Sequence, residues 1–143
     1  FNYCFNNNYG YPAILKLKNL KKNHIIKNNN KKLLIESVKV KHGKINSIMY
    51  IINNTCGYVS DVSKIYTKDL KKIKNLKYFV VDCLKYDPHP SHFNLSNILE
   101  LVKIIKPRKT ILTNMHNEID YKEVKKMLPK NIIPAYDGMN FLL

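Results

Sequence analysis

Arginine is almost missing from this sequence: of 25 basic residues, Arg108 is the single arginine and the remaining 24 are lysines. Guanidinium groups make the bidentate contacts to phosphate and guanine, so their scarcity counts against a surface built to read nucleic acid. The net charge of +15 therefore needs another source. Alanine is equally rare, limited to Ala13 and Ala135, whereas asparagine occurs 19 times. Lysine and asparagine share A-rich codons, and their joint excess reads as an A+T-rich genome acting on tolerant surface positions. A scattered, solvated basic surface is expected, compatible with weak and salt-sensitive attraction to acidic polymers.

Cysteine is sparse too. Cys4, Cys56 and Cys83 lie far apart with no CxxC pair, which argues against a disulfide framework and for a reducing, intracellular and cytoplasmic setting. No apolar run is long enough to span a bilayer and no signal peptide is visible, so no membrane partner is expected. Short metal motifs such as HxH or HxxxH are also lacking. The 143 residues suit one domain with a modest core. The opening Phe1-Asn2-Tyr3-Cys4-Phe5 has the texture of a strand interior, so the sequence is expected to be part of a longer protein.

Residues 1–32 are rich in Asn and Lys and read as loops around short strands. From Leu33 the texture changes. Strands are predicted from Leu33 to about Val40, from Ile45 to Ile52 and from Cys56 to Val59, with Asn53-Asn54 as a turn; together they form an antiparallel meander. After Asp61, strand and helix patterns alternate. Thr67 is expected to cap a helix carrying Leu70, Ile73 and Leu76. Tyr78–Val81 is a buried strand. Asn94 caps a helix with Leu95, Ile98, Leu99, Val102 and Ile105 on one face, stopped by Pro107. Thr110–Leu112 is another strand, Asp120 and Glu123 open a helix ending before Pro129, and Ile132-Ile133 and Phe141–Leu143 close the chain as strands. The order implies an α/β fold, a mixed sheet with helices on its outer face.

Three groups able to hold a metal stand just beyond strand ends: His42 before Gly43, Asp61 after Val59-Ser60, and His116 after the strand ending near Thr113. Strand ends converge at one edge of a sheet, where sheet enzymes place their sites. Imidazole with carboxylate suits zinc, manganese or iron rather than calcium. Each residue also has an ordinary reading: Asp61 as a turn cap, the histidines as hydrogen-bonded surface groups. His89 and His92 occupy a loop held by Pro88 and Pro90. His92 precedes the helix cap Asn94 by two residues, where an anion is favoured, and is the better candidate for proton transfer. Asp137, before Gly138, either forms a turn or orients a metal-bound imidazole.

Taken in order, His42-Gly43, Gly57-Tyr58-Val59-Ser60-Asp61, Val80-Val81-Asp82-Cys83, His89-Pro90-Ser91-His92-Phe93-Asn94-Leu95, Ile111-Leu112-Thr113-Asn114-Met115-His116 and Tyr136-Asp137-Gly138-Met139 resemble the metallo-β-lactamase superfamily. They are similar in particular to its phosphoribosyl cyclic phosphodiesterase branch. The resemblance runs from about Leu33 to the end. It implies the C-terminal half of an αββα sandwich, and two divalent transition-metal ions, zinc or manganese. His42 and His116 would be ligands, Asp61 would bridge the metals, and His92 would be the histidine that assists at the phosphodiester. His89, Asn114 and Asp137 would support the ligands or the substrate; Asn114 stands where that branch has a histidine. The superfamily's HxHxDH signature is absent from these residues and is expected upstream.

The implied function is metal-dependent hydrolysis of a small phosphodiester by a metal-bridging hydroxide. Rival readings are a tRNA-processing endonuclease, for which nucleic acid is a less favoured partner, and a thioester hydrolase of the same fold. From another class, a non-catalytic binding module could retain the fold without its metals. A homodimer is compatible with all of them.

Overall fold

A computed structural model describes residues 2–7, 10, 12–29 and 31–143. The described residues form one seven-stranded mixed sheet whose strands lie side by side in chain order. The strands are β1 (Asn23–Asn28), β2 (Lys31–His42), β3 (Ile45–Ile52), β4 (Cys56–Val59), β5 (Tyr78–Asp82), β6 (Lys109–Thr113) and β7 (Ile132–Pro134). Helices α1 (Thr67–Leu70), α2 (Leu95–Ile105) and α3 (Tyr121–Met127) fall between the later strands. Neighbours from β1 to β4 pair antiparallel; from β4 to β7 they pair parallel.

This switch follows from the connections. The β2–β3 and β3–β4 turns take residues that tolerate positive φ: Gly43 at +58° in the first, Asn53 and Asn54 near +50° in the second. Beyond β4 each connection carries a helix or a long loop, which is what a parallel return requires.

The strands alternate as a sheet covered on one face demands. Val38 and Val40 of β2, Met49 and Ile51 of β3, Val59 of β4, Phe79 and Val81 of β5 and Leu112 of β6 all point to the core shared with Ile98, Leu101, Val102 and Ile105 of α2. The opposite face carries a smaller cluster of Cys56, Val80 and Ile111. Helix α2 begins with a complete capping box: Asn97 N–H donates to Asn94 Oδ1 at 2.9 Å and Asn94 N–H to Asn97 Oδ1 at 3.4 Å. It ends at Lys106, in the left-handed conformation ahead of Pro107. Asp120 caps α3 by accepting from the N–H groups of Lys122 and Glu123.

Three expectations are corrected. The opening residues form a 3-10 turn, Asn2–Cys4, rather than a strand; Phe1 lies outside the described residues. Within residues 1–32, β1 is a short strand that adds an edge to β2; Asn8, Tyr9, Tyr11 and Asn30 lie outside the described residues. Helix α1 stops at Leu70, and Tyr66, not Thr67, occupies its cap position with no side-chain hydrogen bond. Lys68, Lys71, Lys72 and Lys74 crowd like charges at helical spacing, which disfavours continuation. Ile73 and Leu76 still reach the core through turns. The Phe141–Leu143 strand does not form. Pro134 ends β7 without an N–H to extend the ladder, and Phe141 packs its ring 4.4 Å from that of Tyr78 instead.

Candidate metal centre

One end of the sheet gathers the polar residues. The chain leaves β4 through Ser60 and turns at Asp61, whose φ of +56° is one that aspartate tolerates better than most residues. It then folds back against the end of β2. Lys41 N–H donates to Lys64 C=O at 2.9 Å, Ser63 N–H to Lys41 C=O at 2.8 Å, and Gly43 N–H to Ser63 Oγ at 3.0 Å. These bonds draw Asp61 toward His42. The loop between β5 and α2 closes on both through Phe93 N–H, which donates to Val62 C=O at 2.7 Å. Gly43 matters here for space as well as conformation. A Cβ at this position would lie 3.0 Å from Ser91 Cβ, so only glycine lets the β2–β3 turn press this close to the loop that carries His92.

His42, Asp61 and His92 are thereby brought together, each with a ligand atom within 4.8 Å of the others'. The rings of His42 and His92 stand edge to face with centroids 4.6 Å apart. Both imidazoles are half-buried and held from behind. His42 Nδ1–H donates to Ser91 C=O at 2.6 Å, which leaves the Nε2 lone pair free. His92 Nδ1 lies 2.5 Å from Oδ2 of Asp82, a carboxylate with no exposed surface.

Asp82 is the residue that sequence reasoning left without a role. It ends β5 and accepts from three directions: His92 Nδ1–H, Val62 N–H at 3.2 Å, and Asn114 Nδ2–H at 3.1 Å. One buried carboxylate thus ties together the turn after β4, the β5–α2 loop and the end of β6. Its signal was available, since an acidic residue closing the apolar run Tyr78-Phe79-Val80-Val81 repeats the pattern that singled out Asp61.

The remaining predicted residues are placed less centrally. His89 is half-buried beside His92, with ring centroids 5.1 Å apart. Asn114 supports the site, but through Asp82. His116 does not join the cluster, which corrects the expectation that its ring would face His42 and Asp61. Its side chain is about half exposed, with Nδ1 3.7 Å from Glu118 Oε1, and its N–H donates to Leu84 C=O at 2.8 Å. That backbone bond, following the left-handed turn at Asn114, fixes the path of the loop. Asp137 lies exposed before Gly138, outside the cluster. Cys83, next to Asp82, is not a ready ligand: burial first, and then the charge of Asp82, push its thiol up to about 12.

No family model and no curated protein matches the sequence. Solved structures do match. A diphosphatase from the PhnP family superposes with a TM-score of 0.74 at 26% identity, over 83% of this chain and 47% of its own. The metallo-β-lactamase fold protein YhfI from Bacillus subtilis matches with a TM-score of 0.68 at 17% identity, over 90% of this chain and 56% of its own. Zn(2+)-bound PqqB from Methylobacterium extorquens gives 0.69 at 11%, over 90% and 56%.

The chain has the metallo-β-lactamase fold. It spans about half the length of these structures, and its seven-stranded mixed sheet corresponds to half of that fold. Within the metallo-β-lactamase fold, the gathered strand ends described above are the part of this chain where His42, Asp61 and His92 meet.

Proposed function

We propose that the protein is a metal-dependent hydrolase and that its substrate is a phosphodiester. The observation that carries this reading is the meeting of His42, Asp61 and His92 at one sheet edge. The likeness to a PhnP-family diphosphatase supports it. The donor set fits a divalent transition metal such as zinc or manganese: borderline nitrogen and hard oxygen donors, with the histidine proton already committed to a carbonyl. His42 would bind through Nε2, and Asp61 through a carboxylate that its left-handed turn leaves exposed. Two such ions are proposed for the whole protein. When bound, they supply Lewis-acid chemistry, polarising a phosphoryl oxygen and lowering the pKa of water.

The chain's own residues then have distinct tasks. Asp82 accepts the Nδ1 proton of His92 and so fixes the ring's tautomer and direction. The Nδ1 atom, 4.0 Å from Asp61 Oδ1, is thereby engaged, and Nε2 is the atom left to act. In this reading His92 is an acid–base group: carrying a second proton at Nε2, it gives that proton to the leaving oxygen and keeps its Nδ1 proton on Asp82. The many lysines do not favour a nucleic-acid substrate, since a single arginine is available for bidentate phosphate contacts.

The test is direct. The protein purified without chelator should contain transition metal by elemental analysis and should hydrolyse bis(p-nitrophenyl) phosphate. Chelation, or the His42→Ala substitution, should remove both properties. Metal at background level in the parent protein would overturn the reading.

A further inference from the structure

Two histidines contact Ser91, and they do so from opposite sides. Ser91 C=O takes the Nδ1 proton of His42 at 2.6 Å. Ser91 N–H donates to His89 Nδ1 at 3.4 Å, and Ser91 Oγ stands 3.2 Å from the same nitrogen. In a neutral imidazole one nitrogen carries the proton and the other the lone pair. One residue, Ser91, therefore holds two rings in opposite tautomers. His42 presents a lone pair at Nε2 and suits a cation. His89 has its lone pair engaged at Nδ1 and presents Nε2–H, which suits an acceptor oxygen and cannot ligate a metal.

Position agrees with tautomer. The ring of His89 lies 5.1 Å from that of His92, and the ring of His92 lies 4.6 Å from that of His42. His92 thus lies beside both of the histidines that contact Ser91. Pro88 and Pro90 flank His89 and restrict its backbone. Its ring is held through Ser91, with no carboxylate partner among the described residues, in contrast to His92. A half-buried donor on a stiff loop, next to an acid–base group, is placed for a substrate oxygen that does not react.

We infer that His89 is a binding residue for the anionic oxygen of the substrate, donating from Nε2–H in the tautomer that Ser91 enforces. This rests on the phosphodiester reading above and adds to it a group that discriminates anionic substrates from neutral esters. Its contribution lies in substrate affinity rather than in the chemical step.

Inorganic phosphate serves as the probe, on the metal-loaded full protein. Nitrogen-detected histidine spectra should show His89 as the Nε2–H tautomer and His42 as the Nδ1–H tautomer, and phosphate should shift the His89 resonances saturably. His89→Leu should weaken phosphate binding about tenfold, which corresponds to roughly 1.4 kcal/mol, with metal content unchanged. His89→Gln, which keeps an N–H donor, should recover part of the loss. For the diester, KM should rise in His89→Leu while kcat holds. A His89 found as the Nδ1–H tautomer would overturn the inference. So would unchanged phosphate affinity in His89→Leu, no saturable phosphate binding by the parent, or loss of metal in the variant. Metal present and diester turned over, with phosphate affinity indifferent to residue 89, would sink this inference and leave the hydrolase reading standing.

Discussion

The two halves of the sheet are built on the same alternation and used differently. In the antiparallel half, Val38, Val40, Met49 and Ile51 pack into the core, while Ser37, Lys39, Ile48 and Tyr50, which alternate with them, stay partly or fully exposed. In the parallel half, strands are sandwiched: Phe79 and Val81 face the main core while Val80 and Ile111 sit in the second cluster. Parallel strands also all end on one side, so the residues at the ends of β4, β5 and β6 arrive together. Asp61, Asp82 and Asn114 are those residues. The antiparallel half contributes one member of the site, His42, and does so because the β2–β3 turn reaches the same edge. Polar chemistry is thus concentrated where strand direction repeats, and hairpins supply the frame.

A comparison of two carboxylates measures this contrast most strongly. Asp82, in the parallel half, is fully buried under three donors. Glu36, in the antiparallel half, pairs with Lys72 at 3.0 Å with both side chains partly exposed. Asp82→Ala strands Val62 N–H, His92 and Asn114 without an acceptor, and should cost about 3 kcal/mol or more of unfolding free energy. Glu36→Ala should cost no more than about 1 kcal/mol. Urea unfolding of both variants measures the pair. Equal costs would mean that the buried carboxylate does not hold the parallel strand ends together.

Much of this division was legible in the sequence, for physical reasons that also explain what was not. The β2–β4 meander and α2 announce themselves because each element satisfies its own pattern: period two bounded by Gly43 and by Asn53-Asn54, period near 3.6 bounded by Asn94 and Pro107. Strand β1 does not, because two isoleucines among Asn, His and Lys are too short a signal; pairing with β2 makes it a strand. His42 and Asp61 were legible as strand-end groups. Asp82 was visible but unassigned, because a carboxylate inside an apolar run gains its meaning only from the donors that other segments deliver. Where His116 points depends on a single backbone bond to Leu84, which no local pattern encodes.

The next effect concerns catalysis at that edge. His92→Ala should slow diester hydrolysis by roughly a hundredfold, the scale of a lost acid–base group, while metal content stays at the parent's level, as expected of a proton-transferring group. Stopped assays with bis(p-nitrophenyl) phosphate, paired with elemental analysis, check both halves of the statement. Metal lost together with activity would instead make His92 a ligand, and would move the boundary between metal-binding and proton-transferring residues.

The smallest expected effect compares two thiols at opposite ends of the parallel half. Cys56 opens β4, and burial pushes its thiol up from 9.0 to about 11. Cys83 follows β5 at the site end, where burial and then Asp82 push it to about 12. A thiol reacts as its thiolate, and a raised pKa keeps the neutral form dominant at pH 8. Relative to a thiol of pKa 9.0, the thiolate fraction at that pH falls about a hundredfold for Cys56 and about a thousandfold for Cys83. Both should therefore label slowly with iodoacetamide in the folded protein, Cys83 more slowly than Cys56. Each rate should climb about tenfold per pH unit as ionisation proceeds. Mass spectrometry of the labelled peptides, with the partly exposed Cys4 as internal reference, reads the order. If Cys83 labelled faster than Cys56 at pH 8, a positive field at the site end would have to outweigh Asp82. The sheet's two ends would then differ in charge in the opposite sense to the one drawn here.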